Sequence, residues 1–102
     1  MIIDLMSEDF NEEIKNNLTL VDFYAVWCGP CKMMHPVIEE IANNYSNLKI
    51  VKVDVDKHQE LARNYSVMSI PTLILFKDGQ IVEKNIGFTP SVTLESWIKS
   101  HE

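Results

Sequence analysis

The sequence predicts an α/β fold in which one mixed sheet carries helices on both faces. Three short apolar runs, residues 18–25, 48–55 and 72–76, are separated by segments whose apolar positions recur at helical spacing. A strand joined to the next through a helix makes a parallel pair, because the crossover returns the chain in the same direction. Near the end, Lys77-Asp78-Gly79 is a turn signal between 72–76 and a further strand at 80–84. That connection is a hairpin, so the order is α/β first and then ββα.

Each element has its own local warrant. Ser7 is placed to cap a first helix running to about Asn17, with Phe10 and Ile14 facing inward. Residues 18–25 are apolar on both faces apart from Asp22, as a central parallel strand requires. A helix then opens at the cysteines and reaches about Tyr45, with Val37, Ile38, Ile41 and Tyr45 on its apolar side and Pro36 expected to kink it. Residues 48–55 form the next strand and 58–65 a short helix. After the hairpin, Thr89 as cap and Pro90 at the first helical position start a last helix through Trp97 and Ile98. Met33, Met34 and Trp97 are read as helix packing, and His58 and His101 as solvated.

There is no internal repeat, low-complexity segment or linker, and residues 1–102 are read as a single domain. A chain of this length buries roughly 65% of the surface its unfolded form exposes, so no staple is required. Composition is that of an ordinary soluble globule, with 46% hydrophobic and 24% charged residues. Nine Lys and Arg against fifteen Asp and Glu give a net charge of -6. That balance argues against nonspecific binding to nucleic acid or to an anionic membrane. Residues 1–6 lack a basic leader, and no later stretch is long enough to span a bilayer, so the expected compartment is cytoplasmic. Thiols there are kept reduced, which makes a lone close pair of cysteines catalytic rather than structural.

The chain's two cysteines fall in Trp27-Cys28-Gly29-Pro30-Cys31, spaced so that their sulfurs close a disulfide across one turn at the start of a helix. At a helix N-terminus, unpaired N–H groups and the positive end of the macrodipole stabilise an anion. A thiol there ionises more easily than a free one, which makes Cys28 the expected exposed nucleophile and Cys31 the buried resolving thiol. A structural disulfide is poorly supported, since so short a loop removes little entropy from the unfolded chain. A metal centre is also weak. Such sites take four ligands, and only His35, His58 and His101 supplement the two cysteines, so no metal is expected.

With those elements placed, the whole chain closely resembles the thioredoxin family. The segment from Val21 through Trp27-Cys28-Gly29-Pro30-Cys31 to Met33 resembles the family's active-site stretch, and Pro36, Ile70-Pro71-Thr72, Phe76-Lys77-Asp78-Gly79 and Gly87 fall where its other signatures do. Tyr24, Ser69 and His35 depart from the commonest pattern. The resemblance implies a thioredoxin fold, with a central mixed sheet of about five strands flanked by about four helices. It also implies a protein dithiol–disulfide oxidoreductase, acting as a protein-disulfide reductase with no bound cofactor beyond a reversible Cys28–Cys31 disulfide. Electrons are then expected from NADPH via a thioredoxin reductase, and the partners are that reductase and oxidised client proteins, with the chain a monomer. A different class of function is a non-catalytic binding module that stabilises a partner. Such a module need not keep Cys28, Cys31, Asp22 and Pro71 together, as this chain does.

Asp22 and Pro71 have distinct roles in this reading. A charge inside an apolar strand is costly unless paired or protonated, which marks Asp22 as the acid that takes the proton of Cys31. Its structural alternative is a salt bridge with Lys52, placed on the neighbouring strand by the resemblance, and such a partner would also tune the acid. Pro71 is expected to be cis by the resemblance, leaving the backbone of Ile70 free to bind a substrate segment as an added strand. Trp27, Gly29, Pro30, Met68, Ile70, Pro71, Gly87 and Phe88 would then form the substrate-binding border around Cys28. His35 lies one turn beyond Cys31, where it faces either Asp22 and the buried sulfur or, as a bend at Pro36 favours, solvent.

Overall fold

The computed structural model describes residues 1–7 and 9–102. Along them run β1 (Ile2–Asp4), α1 (Phe10–Ile14), β2 (Leu18–Tyr24), α2 (Gly29–Asn44), β3 (Lys49–Asp54), α3 (Gln59–Asn64), β4 (Thr72–Lys77), β5 (Gln80–Ile86) and α4 (Ser91–His101). The five strands form one sheet in the order β1-β3-β2-β4-β5. β1 and β2 lie parallel to β3 on its two sides, whereas β4 runs antiparallel to both β2 and β5. The mixed sheet is thus the expected one, and β2 lies at its centre.

Strand alternation sorts the core into two layers. Leu20, Ile50, Leu73 and Leu75 point to one face, where Met34, Ile38 and Ile41 of α2 and Leu94 and Ile98 of α4 cover them. Val21, Phe23, Val51, Val53, Ile74 and Phe76 point to the other, against Phe10 and Ile14 of α1 and half-buried Leu61 and Tyr65 at α3. The ring of Phe10 meets Tyr65 at 5.4 Å and Phe76 at 5.8 Å between centroids, both edge-on. Asp22 shares the parity of Leu20, which puts it on the layer covered by α2. The cysteines start that same helix.

Several boundaries differ from expectation, each for a local reason. The chain patterns place four of the five strands; β1 escapes because three residues carry too little periodicity to register, and pairing with β3 alone defines it. The first helix is shorter than 7–17. Asp9 rather than Ser7 caps it, its carboxylate accepting the Asn11 N–H at 3.0 Å. Asn17, expected to end the helix, adopts φ 61 and docks on the hairpin turn, its N–H donating to Asp78 Oδ1 at 2.8 Å. The second helix does match expectation, running past Pro36 to Asn44. Thr89 does not cap α4: Pro90 holds that position, and the Thr89 hydroxyl donates to Gly87 O instead. Met34 and half-buried Trp97 pack as expected, but Met33 is 62% exposed.

Candidate active site

Two elements converge on the cysteines. β2 ends at Tyr24, and a short turn brings Cys28 to the N-cap of α2 with φ -89 and ψ 117, an extended conformation that leaves its side chain facing the open end of the helix. The Cys31 N–H donates to Cys28 Sγ at 3.2 Å, so a backbone donor of the first turn is aimed at the capping sulfur. Cys28 and Cys31 form a disulfide with their Cα atoms 5.2 Å apart. Two residues before β4, Ile70 brings its carbonyl oxygen within 3.8 Å of Cys28 Sγ, and the Ile70–Pro71 bond is cis.

Exposure does not separate the two cysteines as expected. In the disulfide form Cys28 is 4% and Cys31 7% exposed, because Ala25 and half-buried Tyr24, Val55 and Ile70 pack around both. What distinguishes them is the N–H aimed at Cys28.

Of the expected border residues, Ile70 packs against the pair, while Trp27, Gly29 and Pro30 flank the cysteines in the chain. Trp27 is 67% exposed, and its indole N–H donates to Asp56 Oδ2 at 2.8 Å. Asp56 is held in turn by its own N–H to Asp54 Oδ1 at 2.9 Å. The Gly87 N–H donates to Pro71 O at 2.7 Å, tying the end of β5 to the proline. Gly87 takes φ 97, a conformation that side chains rarely adopt. Met68, Phe88, Gly29 and Pro30 are exposed, and Ile70 is half-buried.

Asp22 is 1% exposed, and its Oδ1 has no hydrogen-bond partner. Burial pushes its carboxyl from 3.8 up to about 6, while the charge of Lys52 pulls the other way. The strand register does set Lys52 opposite Asp22, but the ion pair does not form. The Lys52 ammonium lies instead over the Tyr24 ring, 4.5 Å from its centroid. Lys52 also lines a cavity of about 380 Å³ whose wall includes Cys31, Lys32 and His35. A larger cavity, about 520 Å³, lies between the C-terminal ends of α2 and α4, where its walls offer neither a sulfur nor a buried acid.

The histidines make their contacts with groups other than the sulfurs. His35 turns outward, its Nε2 3.5 Å from Glu39 Oε1 with both side chains half exposed or more. His58 and His101 are half-buried rather than solvated: His58 Nε2 lies 2.9 Å from Leu5 O, and His101 Nε2 2.8 Å from Glu83 Oε2. Among the described residues no group of three or more His, Cys, Asp and Glu side chains is placed to hold a metal ion. No helix among them is long and apolar enough to cross a membrane.

A helix-capping cysteine bonded to a second cysteine one turn on, with a proline-preceding carbonyl alongside, defines a site for thiol–disulfide exchange. The thioredoxin family model matches residues 1–100. A thioredoxin of Bacillus subtilis is 46% identical over 101 residues, covering 98% of this chain and 97% of its own length. One from Staphylococcus aureus is 48% identical with the same coverage. Among solved structures, the thioredoxin of Nicotiana alata superposes with a TM-score of 0.89 at 38% identity, covering 99% of this chain and 92% of that one. The oxidised mitochondrial thioredoxin 3 of Saccharomyces cerevisiae does so at 0.84 and 40% identity, covering 97% and 94%. The chain belongs to the thioredoxin family, and it acts as a protein dithiol–disulfide oxidoreductase, reducing protein disulfides through its reversible Cys28–Cys31 pair.

Proposed function

We propose that Cys28 is the attacking thiol, Cys31 the resolving one and Asp22 the proton acceptor, within one redox domain spanning residues 1–102. The observation that carries this assignment is the Cys31 N–H aimed at Cys28 Sγ at the N-terminus of α2. That donor and the helix end stabilise negative charge on Cys28. The Cys28 thiolate attacks one sulfur of a client disulfide, forming a mixed disulfide while the client's other sulfur leaves as a thiolate. Cys31, losing its proton to Asp22 directly or through water, then attacks Cys28. The client departs with both sulfurs reduced, and the Cys28–Cys31 disulfide closes. Lys52 opposes the rise in the Asp22 pKa and so sets how readily the acid gives its proton up again.

The client segment lies along Ile70 as an added strand, bordered by Trp27, Gly29, Pro30, Met68, Pro71, Gly87 and Phe88. Two electrons from NADPH, delivered by a thioredoxin reductase, reopen the disulfide for the next turnover. The protein works as a monomer in the cytoplasm.

Trapping tests the roles of the sulfurs. Cys31→Ser should accumulate mixed disulfides joined through Cys28, and in the reduced protein an alkylating reagent at neutral pH should label Cys28 first. Faster labelling of Cys31 would reverse the assignment.

A further inference from the structure

Thr89 is a fully buried polar residue that neither the sulfur chemistry nor a helix cap uses. A buried backbone N–H must find an acceptor, and the Thr89 N–H finds the Met34 thioether at 3.3 Å. Met34 is itself 0% exposed and lies three residues past Cys31 on α2. The Thr89 hydroxyl accepts from Asn85 Nδ2 at 2.8 Å and donates to Gly87 O at 3.1 Å. Gly87 N–H in turn donates to Pro71 O. The peptide carrying Gly87 and Phe88 is therefore anchored on one side to the proline beside Cys28 and on the other to the helix that presents both cysteines.

We infer that Met34 and Thr89 are positioning residues for client binding, which fix the 87–88 segment in register with the cysteine helix. The inference rests on the groove reading proposed above. Neither residue touches a reacting sulfur, so each acts through the loop. Leucine at position 34 would fill a similar volume but leave the Thr89 N–H unpaired. Valine at 89 keeps the shape and removes the hydroxyl that Asn85 and Gly87 share. A loosened loop must be ordered again by each client, and that cost falls on affinity.

The test compares insulin, a folded client, with a small aromatic disulfide too short to reach residue 88, using the reduced full-length protein. Met34→Leu and Thr89→Val should each raise KM for insulin about fivefold, the size of one neutral hydrogen bond, with kcat retained. The loss toward insulin should exceed that toward the small disulfide by the same factor, and Thr89→Ser, which keeps the hydroxyl, should restore the native KM. Equal losses on both substrates, or a Thr89→Ser variant as impaired as Thr89→Val, would overturn the inference. Phe88→Ala separates the two layers of argument. If it raises the insulin KM while Met34→Leu and Thr89→Val do not, the groove stands and the positioning role fails; if none of the three does, both fail.

Discussion

Asp22 shows how one buried side chain links stability to pH. Its folded carboxyl holds a proton up to about pH 6, against 3.8 for the ordinary group, because burial penalises the charge and Lys52 only partly offsets that. The folded state therefore binds the proton more tightly than the unfolded chain. Stability from this group is fully present below about pH 4, falls as pH rises through about 6, and is flat above; the whole decline corresponds to about 3 kcal/mol. Asp22→Asn should abolish the decline, so that urea denaturation at pH 8 finds the variant about 1–3 kcal/mol more stable relative to native than at pH 4, while its disulfide exchange slows. An unchanged difference between the two pH values would contradict this. His35 makes the opposite case. Its outward pairing with Glu39 predicts that native protein and His35→Ala give superimposable pH profiles for insulin reduction. The burial of Asp22 was legible because a charge interrupts an apolar run; the similar burial of the two cysteines was not, since it depends on Ile70 and Val55, which are far away in sequence.

At the scale of elements, the two faces of the sheet carry different duties. α1 is only five residues long, too short to hold itself together, and it stays in place through Phe10 and Ile14. Phe10→Ala removes a ring in contact with Phe23, Tyr65 and Phe76, so it should cost about 3 kcal/mol or more in urea denaturation. Below the transition the disulfide-exchange rate should hold, because α1 lies across the sheet from the cysteine helix. A proportional loss of rate would show that the layers are coupled. The long elements were legible from periodicity, β2 and α2 above all. The misread features are those fixed by contact instead of pattern. β1 exists through its ladder to β3, Asp9 wins over Ser7 by geometry, and Thr89 looks like a cap in sequence but is buried on a methionine sulfur, an acceptor that no local motif encodes.

For the molecule as a whole, large apolar side chains including Trp27, Met68 and Phe88 are exposed on a chain of net charge -6. Mutual repulsion opposes self-association through these side chains, so light scattering should report the mass of a single chain at micromolar concentration. A dimer that Trp27→Ala dissolves would overturn this and place a second copy against Trp27.

The strand order has a consequence for how the protein is made. β2 is sandwiched by partners that both follow it: Leu20 is set against Ile50 on one side and Leu75 on the other. Synthesis from the N-terminus therefore produces the central strand before either of these partners, and its second neighbour only after about half the chain has followed. Until β4 emerges, one edge of β2 has no native ladder to join, and the early contacts available to it are with other unfolded chains or with whatever shields it. Loop closure over such separations slows folding, so the rate at which β4 reaches β2 governs how long that edge stays open.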